Sequence, residues 1–399
     1  MGSTVTTTTI DLDAHQRAAV DAATDCRLTL ITGGAGTGKT TIIKEIARNV
    51  SNPLLCAFAG KAAARLREAT GHSASTIHSL LRYNGARFML GTLANKSLII
   101  DEASMVSADL LAEIVNRRPA RLILVGDAGQ LPPVGKGQPF HDLLSIRSDL
   151  VCTLPHCYRA SEAVYKAASA IRAGETPARH DATPGERWDI ESTGDPDATH
   201  RAILSTVKRD LADRTWDWSQ DLILIPRNGD NATTPASVRG LNADLAEIMT
   251  PRSGRKYEPG DRIIITRNFP DADLWNGTTG TVAEVQGDGR PYVALDVPAV
   301  RDDGPEDEVL LTREQTAASD LAFALTVHKA QGSQYRRVLF AALQRDAWGL
   351  LDRSLIYTAV TRTRERCTVV GQPRALADGI GQQRHKQTCL QRIAARDNA

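Results

Sequence analysis

Nothing in the 399 residues approaches the ~18–20 consecutive apolar residues needed to cross a membrane. The opening stretch, MGSTVTTTTIDL, has neither a basic nor an apolar signal region, so the expected location is the cytoplasm. Cysteine is sparse. Cys26, Cys56, Cys152, Cys157, Cys367 and Cys389 form no CxxC pair, which argues against a disulfide framework or a structural zinc and for small core residues in a reducing compartment. Excess charge is also missing: 48 Lys and Arg face 47 Asp and Glu, for a net charge of +1. A globally basic coat is thereby excluded, and any nucleic-acid footprint has to be a local groove. No internal repeat runs at a fixed short period.

What is present is ordinary globular composition, 42% hydrophobic and 24% charged, in a chain too long for one core. The runs RLTLIT, LLCAFAG, SLIIDE and RLILVGD are short, continuous and bounded by Gly or charge, as strands buried on both faces of a parallel sheet are. Between them GKTTIIKEIARNV places Ile42, Ile43, Ile46 and Val50 on one helical face. Residues 1–150 are therefore expected to form one α/β domain. A second α/β domain is expected from 151–254 and 319–399, with the helix ASEAVYKAASAIRAG and the strands DLILIP, RRVLFAAL and CTVVG. The polar stretch RHDATPGERWDIESTGDPDATH reads as a surface loop. Residues 255–318 differ: GDRIIITRN, GTTGTVAEVQ and RPYVALDV are strands between Asn, Gly and Asp turns, which predicts a small inserted β barrel.

GGAGTGKT, from Gly33 to Thr40, follows an apolar strand and opens a helix, the context a phosphate-binding loop requires. Its backbone N–H groups can curl round phosphates at a helix N-terminus. Lys39 is then expected to reach the β- and γ-phosphates, and the Thr40 hydroxyl to ligate Mg²⁺. In SLIIDEASM the carboxylates of Asp101 and Glu102 stand at the end of a buried strand, where α/β sheets bind ligands. Asp101 would hold Mg²⁺, and Glu102 would orient and deprotonate an attacking water, which favours hydrolysis over transfer to a second substrate. Another strand ends at Gly126-Asp127, and Gln130 just beyond it can sense the γ-phosphate without competing for the metal.

These motifs, with AGKAAARL, STIHSLL, GDAGQLPPVGKGQPF, LPHCYRA, LTVHKAQGSQ and YTAVTRTRE in this order, resemble the superfamily 1 helicases, specifically the RecD-like and Dda-like branch. The resemblance spans nearly the whole chain. It implies two RecA-like P-loop domains, a short wedge hairpin at about 82–96 in the first, and an SH3-like β barrel inserted in the second. It further implies that Gln16 reads the adenine edge. The phosphate cradle would comprise Gly33, Gly34, Ala35, Gly36, Thr37, Gly38, Lys39, Thr40 and Thr41, with Gly332 from the second domain. Arg159 and Arg362 match the two arginines that grip the γ-phosphate from that domain; Arg364 is the neighbouring candidate, which the residues alone do not separate from Arg362. The implied DNA contacts are Lys61, Thr76, His78, Thr326 and His328, and Phe88 is a candidate for the wedge. Phe58 and Ala59 stand where relatives often carry Pro and Thr, and Gln334 where many carry Glu.

The function implied is an ATP-dependent, Mg²⁺-requiring DNA helicase moving 5′ to 3′, a monomer acting on single-stranded DNA and tailed duplexes. A single-strand-binding or replication or recombination protein is a candidate partner. The alternatives are an RNA-directed motor of the same class, or an ATP-gated binding module or subunit of a larger recombination complex.

Overall fold

The computed structural model describes residues 12–158, 160–183, 185–301, 304–343, 351–384, 386 and 390. Six parallel strands form the first sheet: β1 (Leu28–Gly33), β2 (Pro53–Ala57), β3 (Ala74–Thr76), β4 (Ser97–Asp101), β5 (Arg121–Gly126) and β6 (Val151–Leu154), in the order β3-β2-β4-β5-β1-β6. Both faces are apolar and covered, one by a cluster around Ile42, Ile46, Ile99 and Ile123, the other around Leu30, Leu98, Ile100 and Phe140. The continuous apolar runs follow from this double burial. β6 pairs with β1 from Leu30↔Val151 to Gly33↔Leu154, so the first sheet extends past the expected limit at residue 150.

The second α/β sheet is built from β7 (His180–Thr183), β8 (Glu186–Ser192), β9 (Asp221–Ile225), β15 (Ala324–Thr326), β16 (Tyr335–Ala342) and β17 (Thr363–Gly371). Its order is β15-β9-β16-β17-β8-β7, parallel except for β7. Here the expected surface loop is corrected. Much of that stretch is an edge hairpin leading to the helix Pro196–Ala212, which Asp195 caps by accepting from Ala198 N at 2.7 Å. The polar composition belongs to an edge strand, whereas Trp188 on β8 is 0% exposed in the core. Trp188→Ala is expected to cost about 3–5 kcal/mol, the usual penalty for emptying such a site. A fall in the urea midpoint at unchanged slope checks it.

Between these elements, β10 (Arg262–Ile265), β11 (Thr279–Val285), β12 (Pro291–Arg301), β13 (Gly304–Leu310) and β14 (Ser319–Leu321) form an antiparallel sheet in the order β13-β12-β11-β10-β14. It encloses its own small core around Tyr257, Ile263, Val282 and Val293. At the expected wedge, the turn at Asn84-Gly85 closes with a single antiparallel bridge, Tyr83↔Phe88. No helix among the described residues is long and apolar enough to cross a membrane.

Candidate active site

Three neighbouring strands of the first sheet, β4, β5 and β1, deliver their ends to one edge. β1 runs into the phosphate loop, β4 into Asp101 and Glu102, and β5 into the loop carrying Asp127 and Gln130. Gly36 and Gly38 adopt φ of 78° and 82°, which turns the chain back into the helix Lys39–Asn49. A Cβ on Gly38 would also lie 2.5 Å from Gln16 Nε2. The Lys39 ammonium donates to the carbonyls of Gly33 and Gly34, each at 2.8 Å, so it lies folded along its own loop. Thr37 Oγ1 donates to Gly34 O at 3.0 Å. Ala35 and Thr40 line the same cleft, and Thr41 follows in the first turn of the helix.

Gln16 is placed beneath this loop, where its amide is already engaged at both ends. Nε2 donates to Thr37 O at 3.3 Å, and Oε1 accepts from Asp13 N at 3.2 Å in a capping box. To read a base it would have to give up one of these bonds; here it braces the loop.

Glu102 has φ 52° and ψ 42°, a left-handed conformation strained for a non-glycine residue. Its Oε2 is buried and has no hydrogen-bond partner among the described residues, as is also true of Gln130 Oε1. Both residues line the cleft, so both orphaned oxygens fit a site completed by water and ligand. Burial, and next the neighbouring Glu102 carboxylate, push Asp101 up to about 7; the Glu102 backbone N–H and Lys39 act in the opposite direction. That N–H donates to Asp101 Oδ1 at 2.8 Å.

The second sheet faces this edge with the chain entering β16 and β17. Tyr335 N donates to Arg362 O at 2.7 Å, which sets the QGSQ turn beside the late arginine. Arg362 is 3% exposed, its guanidinium donating to Thr358 O at 3.2 Å, Ser333 O at 3.3 Å and Thr361 Oγ1 at 3.4 Å. The cleft between the sheets measures about 680 Å³ and is lined by Lys39, Thr40, Asp101, Glu102, Gln130, Gly332, Arg362 and Arg364. Residues more than 300 positions apart therefore share one site. Arg159 lies outside the described residues.

Three participants escaped the sequence reading. Arg65 lines the cleft from the helix Gly60–Thr70. Tyr357 Oη donates to Asp127 Oδ2 at 3.1 Å, and Leu131 N donates to Thr358 Oγ1 at 2.9 Å. These last two bonds tie the loop of Gln130 to the helix Arg353–Val360, which leads to Arg362. A buried tyrosine in YTAV was the available signal, but its partner could not be read from one sequence.

The expected DNA contacts are not all presented to solvent. Lys61 is 8% exposed and donates to Thr279 Oγ1 at 2.9 Å, inside a network in which Arg262 and Thr279 both bond Asp296. Nearby, Arg67 pairs with Asp273 at 2.9 Å, and Trp275 packs so closely on Gly60 that a Cβ there would lie 2.3 Å from it. The inserted sheet is thus docked on the first domain over Lys61. Thr76 is buried and caps the helix Ile77–Leu80, and Thr326, also buried, accepts from Lys329 N at 3.3 Å. Burial lowers the pKa of both His78 and His328, although His78 is half-buried and His328 keeps much of its surface in solvent. Phe88 is half-buried against Tyr83 and His78, with ring centroids 4.8 and 5.7 Å away.

Residues 11–186 match the family model of an AAA domain, and residues 321–370 that of a UvrD-like helicase C-terminal domain. The RecBCD enzyme subunit RecD of Mycolicibacterium smegmatis is 32% identical over 432 aligned positions, covering 95% of this chain and 74% of that protein. The chain belongs to the RecD-like branch of the superfamily 1 helicases. The ATP-dependent RecD2 DNA helicase of Deinococcus radiodurans is 33% identical across 96% of this chain, which spans 53% of that relative's length. In overall fold this RecD-like chain is similar to a Pif1 helicase studied at forked double-stranded DNA, with a TM-score of 0.56 at 19% identity, covering 90% of this chain and 92% of the other. A Pif1 helicase from Candida albicans gives 0.53 at 17% identity, covering 98% of this chain and 99% of the other.

Proposed function

We propose that this RecD-like chain is an ATP-dependent DNA helicase that moves 5′ to 3′ along single-stranded DNA and parts duplex ahead of it. One convergence supports this above all: Lys39, Glu102 and Gln130 meet Arg362 across a single interdomain cleft. Glu102 Oε2, buried and without a hydrogen-bond partner among the described residues, supports its role as the group that accepts a proton from an attacking water. Lys39 exchanges its loop carbonyls for phosphate oxygens, and Arg362 stabilises charge developing on the γ-phosphate. Because the donors belong to two domains, each turnover closes and reopens the cleft. A strand held across both domains is drawn along by that motion.

Magnesium suits the donors present. The Thr40 hydroxyl and the Asp101 carboxylate are hard oxygen ligands on the cleft wall, and among the described residues no cluster of three His, Cys, Asp or Glu could hold a metal alone. That pattern fits an ion shared between one carboxylate, a hydroxyl and nucleotide phosphates, whose negative charge it would offset.

Single-stranded DNA and tailed duplexes are the proposed substrates, with a single-strand-binding or recombination protein as a candidate partner of a monomeric motor. The antiparallel insertion is the proposed SH3-like module, and its docking implies that it lifts before Lys61 meets a phosphate. Phe88, in the short turn of the first domain, is the proposed wedge. Phe88→Ala is expected to preserve DNA-stimulated hydrolysis while slowing unwinding several-fold; equal loss of both in stopped-flow assays would assign the ring to packing alone. ATP hydrolysis with and without single-stranded DNA tests the motor, and duplexes tailed at either end test direction. Stimulation by RNA alone, or hydrolysis indifferent to nucleic acid, would overturn the proposal.

A further inference from the structure

The nucleotide cleft holds a cation for which the chemistry above has no use. Arg65 lies one turn after Lys61 on the helix Gly60–Thr70, so the two side chains share a face. Lys61 reaches the inserted sheet; Arg65 instead crosses to the second domain, where its Nη1 donates to the Gly332 carbonyl at 2.6 Å. Ala62 of the same helix packs against that turn, its Cβ 3.3 Å from where a Gly332 Cβ would sit. The remaining donors of the fork are not engaged: Arg65 Nε and Nη2 have no hydrogen-bond partner among the described residues. The side chain lines the same cleft as Lys39, Glu102 and Arg362. Burial lowers its pKa, and Arg362 and Arg364 add to that, with Tyr335 and Glu68 opposing. Like charges gathered here repel one another, and a polyanion in the cleft offsets that repulsion.

We propose that Arg65 is a positioning residue that ties the Lys61 helix to the nucleotide, holding the Gly332 turn against that helix when the cleft closes on a triphosphate. This rests on the motor function proposed above. A single side chain then links the turn at the entrance to β16, next to Arg362, with the helix whose other cation, Lys61, holds the inserted sheet. Nucleotide binding changes the affinity for DNA through this link, and by reciprocity DNA changes the affinity for nucleotide. Arg suits the task because its planar fork can hold a carbonyl with one N–H while presenting others to the cleft; Lys offers a single point charge.

The test measures affinity for a fluorescent oligo-dT by anisotropy, without nucleotide and with a non-hydrolysable ATP analogue plus Mg²⁺. The full chain is compared with Arg65→Met, which keeps the apolar stem, and Arg65→Lys, which keeps the charge. In the wild type the two affinities are expected to differ by at least about fivefold. In Arg65→Met the ratio should fall below about twofold while the thermal midpoint stays close to wild type, and Arg65→Lys should recover part of the ratio. An Arg65→Met protein with the wild-type ratio overturns the inference and leaves the motor intact. A wild type whose DNA affinity ignores nucleotide overturns both.

Discussion

Glu102→Gln is expected to lower ATP turnover by about 10²–10⁴-fold, the usual contribution of a positioned general base, while nucleotide still binds. The amide keeps the size of the carboxylate and can occupy the same left-handed backbone, so the strand edge at β4 need not rearrange. What disappears is the basicity of a buried oxygen that has no partner among the described residues. A second effect runs the other way. The Glu102 charge is one cause of the raised Asp101 pKa, so its removal lets Asp101 ionise at lower pH. Binding of Mg-nucleotide should therefore be retained near neutrality and hold to more acidic pH than in wild type. Steady-state hydrolysis with saturating single-stranded DNA, beside a fluorescent-nucleotide titration, separates the two. A loss of less than tenfold would mean that another group takes the proton.

Local chemistry was legible in the sequence, and long-range partnership was not. GGAGTGKT and SLIIDE carry their structural context with them, because strand, turn and helix signals sit within a dozen residues. Their burial on both faces of a parallel sheet was legible too, but the order β3-β2-β4-β5-β1-β6 was not, since an apolar run does not name its neighbour. Residues 179–200 misled because an edge hairpin needs few apolar side chains: β8 hides Trp188 while its polar neighbours look like loop. Lys61 shows a different limit. Its cationic type suits a phosphate, but its partner Thr279 lies 218 residues away in the insertion, and no periodicity announces such a contact. Arg65 and Gly332 are 267 apart and were hidden in the same way. The sequence motifs defined the half-sites; only the packed domains show how each half is braced.

Arg362→Ala is expected to reduce hydrolysis by about 10³-fold or more, in the range of arginine fingers supplied in cis. The hydrogen bonds that hold Arg362 now, at 3.2, 3.3 and 3.4 Å, lie at the long end for N–H···O contacts. Exchanging them for charged phosphate oxygens is favourable, since charge-assisted bonds are shorter and about twice as strong. The guanidinium is therefore kept near the cleft without being locked away from it. Arg362→Lys should restore little, because a point charge cannot reproduce the fork. Arg364, two residues on, is exposed and shares the cleft, so sequence alone could not choose between the two. Buried placement beside the QGSQ turn favours Arg362. Arg364→Ala is accordingly expected to cost at least tenfold less than Arg362→Ala in DNA-stimulated turnover. If the order of the two losses were reversed, the finger would be Arg364, and the buried arginine would serve only to hold β16 and β17 in register through Ser333 and Thr358.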